Sequence, residues 1–189
     1  MIFIKIPNAL KINAFIAEEK QLPFTYSPIE GTRRAKIEGY DNDFAQIKLG
    51  EGELVFEKAK KLIQDWKMFP SAWTKILGDN KSIQEGTSIV MMARFLGVWF
   101  RNSCKIVYVI DEKKRFGFAY GTLPGHIESG EELFLVEINQ QNEVFYSIKA
   151  FSRPRHFLAK IGYPIIRILQ ERFRQDSMKE VKLQCVDAK

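Results

Sequence analysis

The densest group of chemically useful side chains lies in GTLPGHIESGEE, Gly121 to Glu132, where His126 stands among Glu128, Glu131 and Glu132. Imidazole titrates near neutral pH and a neighbouring carboxylate can orient it, so the group suits general acid or base chemistry. No nucleophile completes a recognisable set with it. Gly121, Gly125 and Gly130 would also serve a wide turn between strands and nothing more. A phosphate cradle is disfavoured, because exposed backbone amides that bind anions do not sit beside three acidic side chains. His126 and His156 could converge on a metal only if the loop folded back, and the chain has no HxH, HExxH or CxxC spacing. No metal and no cofactor are expected.

Two further positions invite a functional reading. In FSRPRH, Arg153 and Arg155 flank Pro154 where a last strand should pass to a helix. Ser152 is expected to cap that helix and Pro154 to occupy its first turn. Arg153 is expected to point inward, toward a glutamate of the acidic loop or the carboxylate of a ligand, the internal ion pair being favoured. Strand alternation puts Phe116, Phe118 and Tyr120 on one face, and a buried tyrosine hydroxyl needs a partner, which suits Tyr120 to the wall of a cavity.

The elements that must carry these residues follow from periodicity. Asn8 caps a first helix to about Lys20, Phe24 to Thr32 is an ordered connection, and Phe44 to Leu49 suits a short strand. Val55, Phe56, Ala59, Leu62, Ile63 and Trp66 fall at helical spacing over Leu54 to Trp66, with Pro70 beyond. From Gly86 the pattern becomes that of antiparallel strands, near 87–96, 98–110, 115–122, 131–138 and 143–151. After Pro154 a helical stripe runs through Ile161, Ile165, Leu169 and Phe173, with Pro164 expected to kink or split the helix.

With 189 residues, 46% hydrophobic and 28% charged, the chain suits one globular domain over 1–189 and excludes disordered and disulfide-scaffold classes. Cys104 and Cys185 show no pairing signal, and no run is apolar enough for export or membrane insertion, so a cytoplasmic location is expected. From Ser152 onward nine Lys or Arg stand against four Asp or Glu, so +5 of the net +6 lies in that final fifth. The acids that interrupt it, and the lack of interleaved aromatics, argue against specific nucleic-acid binding.

The element order resembles that of the helix-grip architecture of START-like and Bet v 1-like proteins, and the expected fold is α+β, a curved antiparallel sheet wrapped around a long C-terminal helix. FTYSPIEGT (24–32), LGEGELVFEKAKKLIQDWKMFP (49–70), FGFAYGTLPGHIESGEELF (116–134) and AFSRPRHFLAKIGYPIIRILQERFRQDSM (150–178) resemble the domain of unknown function 1990 family, also uncharacterised protein family 0548. The resemblance covers nearly the whole chain and implies no established activity, substrate or catalytic residue. The expected function is binding of a small hydrophobic or amphipathic molecule between sheet and last helix, with Phe118, Tyr120, Ile165 and Leu169 on the wall and His126 and Arg153 near the mouth. Two alternatives stand beside it. One is an enzyme using the same cavity, with His126 as acid or base and Tyr120 or a loop glutamate assisting. The other is an anionic-surface or nucleic-acid binder using the basic last helix. Neither ligand identity nor oligomeric state can be read from the sequence.

Overall fold

The computed structural model describes residues 1–155 and 162–186. Asn8 accepts the Lys11 N–H through its side chain at 3.0 Å and so starts α1 (Ala9–Glu19) as its sequence indicates. The second helix, α2 (Glu53–Gln64), buries Phe56, Ala59 and Ile63. It stops before Trp66, which adopts the left-handed conformation at φ 58° and donates its indole N–H to the Lys81 carbonyl at 2.8 Å. The terminator is therefore the turn at Trp66 rather than Pro70.

Among the described residues, eight strands form one antiparallel sheet. They are β1 (Ile2–Phe3), β2 (Asp41–Glu51), β3 (Thr74–Leu77), β4 (Ser88–Phe95), β5 (Val98–Glu112), β6 (Arg115–Thr122), β7 (Glu128–Ile138) and β8 (Glu143–Pro154). Their order is β2-β8-β7-β6-β5-β4-β3, with β1 beside β5. The last described helix, α3 (Tyr163–Val186), lies against β2 and β8 and beside α2. This is the expected curved sheet around a C-terminal helix.

The two faces of the sheet have separate partners. On the inner face, Phe118, Phe134, Ile148 and Tyr146 pack with Phe56 and Ile63 of α2 and Met178 and Val181 of α3. On the outer face, Val90 and Met92 pack under Ile12 of α1, while Phe151 joins Tyr26 and Ile37 of the segment before β2. The outer face is therefore covered in part, with the outward residues of β2, Phe44 among them, left exposed.

Several sequence expectations need correction here. Strand β8 runs through Pro154, so Ser152 is a strand residue and caps no helix. Pro164 is the second residue of α3, within the first turn where a missing N–H costs nothing, and the segment just before it, through which the helix was expected to run, lies outside the described residues. Strand β7 begins at Glu128, so the loop before it is shorter than expected. His156 and Ile161 lie outside the described residues.

Candidate functional site

Pairing across the sheet decides where the interior is filled and where it is hollow. Val109, Phe118, Phe134, Ile148 and Ala45 are successive Cα partners across β5, β6, β7, β8 and β2. Their aromatic rings meet Trp66 and Phe69, with Phe118 4.9 Å from Trp66 and 5.6 Å from Phe134 between centroids, and close the space against α2. Two residues along, the floor carries Ile106, Tyr120, Glu132, Ala150 and Asp43. Beyond that, Cys104 pairs with Thr122 and Gly130 pairs with Ser152, the Gly130 N–H donating to Thr122 Oγ1 at 3.0 Å. Small side chains on a concave floor leave volume that helices at their usual packing distance do not fill.

That volume is a cavity of ≈ 660 Å³ between the sheet and α3. Ile165, Ile166, Leu169 and Phe173 line it from the helix, and Trp73, Met91, Phe95 and Phe100 from the strands toward the β3 edge. The same cavity is lined by Asp43, His126, Glu128, Glu132 and Arg174, which form its polar pole, and by Asn102, the Cα partner of Met91. A separate groove of ≈ 400 Å³ between β2 and the far side of α3 is lined by the stems of Lys179 and Lys182 and by Ala45 and Ile47, and gathers no comparable polar set.

The polar pole is built by strand parity. In β7, Glu128, Gly130 and Glu132 point inward while Glu131 points outward. Glu131 accepts from the Tyr26 hydroxyl at 2.8 Å and the Thr32 N–H at 3.0 Å, pinning the 24–32 connection. Glu132 accepts from the Tyr120 hydroxyl at 2.6 Å. Glu128 accepts from Gln170 at 2.6 Å and from Ser152 at 3.3 Å. Burial pushes Glu132 up to about 7 against the opposing pull of Tyr120 and Arg174, and it pushes Glu128 up to about 7 against Gln170, Ser152 and Arg167. Burial, with the neighbouring carboxylate adding, also raises the Tyr120 hydroxyl well above its ordinary range.

Asp43 behaves differently. Burial alone would raise it, but two hydrogen bonds from Arg167, at 2.6 and 2.7 Å, and the Arg174 charge at 3.2 Å hold it below the usual carboxylate range. Arg174 is only 7% exposed and also meets Glu171 at 2.6 Å.

His126 reaches the cavity from a tightly held loop. Its N–H donates to the Leu123 carbonyl at 2.9 Å, and Glu19 at the end of α1 accepts from Gly125 N–H at 2.7 Å and Ser103 hydroxyl at 2.6 Å. Arg155 closes the loop by donating to the Pro124 carbonyl. The imidazole Nδ1 accepts the Glu128 N–H at 3.0 Å, which puts the ring proton on Nε2. Burial, assisted by the Arg155 charge, lowers His126 to about 4, so the ring is neutral near pH 7.

Of the residues expected from the sequence, Tyr120, His126, Ile165 and Leu169 line one cavity. Phe118 shares the inner face but belongs to the filled core. Arg153 is an exposed outer-face residue whose guanidinium lies 4.5 Å from the centre of the Tyr40 ring. It shares the parity of Phe151, so the expectation that it points inward is overturned. Tyr120 also gives its hydroxyl to Glu132 rather than holding it free for a ligand. Asp43, Asn102, Gln170 and Arg174 were missed. Asn102 did leave a signal, as a polar residue two positions from Cys104 on a face otherwise carrying Cys104 and Ile106. The other three come from distant segments and left none.

A family model described as domain of unknown function (DUF1990) matches residues 25–180. A UPF0548 protein from Dictyostelium discoideum is 29% identical over 203 aligned residues, spanning 96% of this chain and 94% of the relative. Among solved structures, Ara h 8.0201 superposes with TM-score 0.51 at 11% identity, covering 78% of this chain and 99% of its own. The Zhui aromatase/cyclase from a Streptomyces species superposes with TM-score 0.50 at 9% identity, covering 77% and 93%. Identities this low show a shared fold alone. The family match spans most of the chain, and the chain belongs to the DUF1990 family, UPF0548.

Proposed function

We propose that the protein holds one small hydrophobic or amphipathic molecule in the cavity between sheet and α3. The carrying observation is the cavity of ≈ 660 Å³, within the usual range for small-molecule sites, whose largely apolar lining carries a small set of polar groups. Water alone would fill such a space poorly, since most of its wall offers no hydrogen-bond partner. The test is saturable uptake of the neutral fluorophore N-phenyl-1-naphthylamine, compared with Leu169→Trp, which intrudes on the cavity from α3. One-to-one uptake by the natural chain and its loss in the variant are expected. Nonsaturable uptake, or equal uptake by both, overturns the reading.

A second reading, an enzyme in the same cavity, is favoured by one observation. Glu132 is partly buried, hydrogen-bonded to Tyr120 and pushed up to about 7, where a carboxyl can both give and take a proton. The acid or base would then be Glu132 rather than His126, whose neutral ring already accepts a backbone N–H. The aromatase/cyclase among the structural neighbours is an enzyme on this architecture, which is an analogy of fold. Incubation of any copurified molecule with the natural chain and with Glu132→Gln, followed by mass spectrometry, tests it. Conversion only by the natural chain supports catalysis, and an unchanged molecule supports holding alone.

The basic last helix offers little to an anionic partner. Arg167 and Arg174 bind Asp43, Arg172 meets Asp176 at 3.3 Å, and Lys182 donates to the Lys48 and Leu49 carbonyls at 2.7 and 2.9 Å.

A further inference from the structure

Resting on the reading that the cavity holds an apolar ligand, we propose that the rim of its opening docks on the surface of an anionic lipid bilayer, from which that ligand enters. The opening is where residues that line the cavity also meet solvent, and Ile2 and Ile165 do both, at 61% and 49% exposure. Ile2 pairs with Phe100 and Phe3 with Trp99, so β1 runs beside the start of β5, next to the β4–β5 hairpin in which Phe95 pairs with Val98. Ile4, 82% exposed, follows Phe3 directly, and Leu96, 85% exposed, stands at the hairpin tip. From the α3 side Ile168, three residues beyond Ile165, is exposed as well.

Leu96 is the residue that folding alone explains least. It has φ 48° and Gly97 has φ 84°, so both central residues of a two-residue turn are left-handed, a place where asparagine before glycine is favoured and a large aliphatic residue is uncommon. Backbone preference and solvation would both be better served by Asn. A single exposed aliphatic residue is ordinary, but several gathered at the opening of an apolar cavity mark a contact surface.

The charge beside these residues selects the partner. Segments 1–11 and 91–102 carry Lys5, Lys11, Arg94 and Arg101 and no Asp or Glu. Arg101 is turned back over the Phe15 ring, 3.2 Å from its centre. Lys5, Lys11 and Arg94 are exposed, and among the described residues none of the three takes part in an ion pair. The nearby carboxylates do not cancel them, since Asp43, Glu128 and Glu132 lie within the cavity and Asp41 accepts from the Tyr163 hydroxyl. Aliphatic side chains flanked by cations suit an interfacial contact, in which the apolar groups enter the acyl boundary and Lys or Arg remain at anionic headgroups. Trp99, half-buried and paired with Phe3 on one side and Arg94 on the other, adds the aromatic ring common at that depth. A nucleic acid would meet the cations but leave Ile4 and Leu96 in water. A bilayer surface covers both, and it gives a poorly soluble ligand a path into the cavity that does not cross water.

The experiment is co-sedimentation of the natural chain with vesicles of phosphatidylcholine alone and of phosphatidylcholine with phosphatidylserine at roughly 7:3, in low and in high salt. Each exposed cation near an anionic surface is worth about fivefold, so the mixed vesicles should bind at least about tenfold more tightly, and high salt should remove most of that preference. Leu96→Asn supplies the favoured Asn-Gly tip and lies outside the cavity lining. It should keep the melting temperature and the uptake of N-phenyl-1-naphthylamine while weakening vesicle binding about tenfold, as expected for one aliphatic side chain withdrawn from an apolar contact. Lys5→Glu should weaken binding to the mixed vesicles about tenfold and leave binding to phosphatidylcholine unchanged. Equal binding of the natural chain to both vesicle types, or full binding by Leu96→Asn, overturns the proposal, and intact fluorophore uptake then leaves the cavity reading standing. A concentration-dependent dimer that Leu96→Asn abolishes, without vesicle binding, assigns the tip to a protein contact and overturns the proposal. Failure of the natural chain to take up the fluorophore overturns the cavity reading and this proposal with it.

Discussion

A carboxyl that titrates near 7 when folded and near 4.5 when unfolded binds more protons in the folded state between those values. Glu128 and Glu132 therefore lower stability as pH rises through that window, each by roughly 3 kcal/mol once fully ionised. Glu132→Gln keeps an acceptor for Tyr120 and removes the buried charge. Urea denaturation should show the variant more stable than the natural chain at pH 8 by up to about 3 kcal/mol, and nearly equal to it at pH 5. An unchanged pH slope would refute the burial assigned to Glu132. His126 acts in the opposite sense, since its folded value near 4 lies below its ordinary 6.5, and the stability it contributes is lost as pH falls through that interval. Tyr120→Phe removes the hydroxyl that Glu132 accepts. Carboxyl carbon NMR should then place Glu132 still higher, and denaturation at pH 8 should show a loss of about 1–3 kcal/mol. These roles follow from parity: the sequence groups Glu128, Glu131 and Glu132, and β7 sends the first and last to the cavity and the middle one to Tyr26.

At the scale of elements, the hollow depends on how closely β7 and β8 approach at Gly130. A Cβ added there would meet the Phe151 carbonyl oxygen at 2.0 Å and the Ser152 Cα at 2.8 Å, both backbone atoms that cannot rotate away. Gly130→Ala should therefore cost about 3 kcal/mol or more, at or beyond the usual range for overpacking, and lower the melting temperature sharply. Asn8→Ala, at the exposed start of α1, should cost only about 1 kcal/mol. A larger loss at Asn8 than at Gly130 would reverse this ranking. Helices α1 and α2 and the strands from β4 onward were legible because each has a period and a start or stop signal that acts within a few residues. Strand β3 was not, since its four residues are too short to show alternation, and β1 has only two. Extended pairing with β2 and β7 carried β8 past Ser152, and no local signal announced it, because Ser-Arg-Pro equally suits a helix start.

The whole molecule absorbs much of the charge that its sequence displays. Asp43 of β2 takes Arg167 and Arg174, and Arg172 meets Asp176 and lies 5.0 Å from the Trp73 ring, so three of the nine basic residues of that fifth are ion-paired within the fold. Titration with duplex DNA at physiological salt should show only weak, nonspecific association, in the range above about a micromolar; tighter, sequence-selective binding would contradict this pairing. What the sequence determined by itself was the class of the fold, because periodicity, turn residues and caps are local and the hydrophobic pattern admits one inner face per strand. It also determined that Tyr120, His126, Ile165 and Leu169 were candidates for one site, through strand alternation and helical spacing. Only the tertiary structure decided which carboxylates face the cavity, that Arg153 lies outside it, and that Asp43, Asn102, Gln170 and Arg174 join its lining. The physical reason is that register across β2, β8 and β7, and the approach of α3 to them, join residues more than a hundred positions apart, and no local pattern in the chain records that distance.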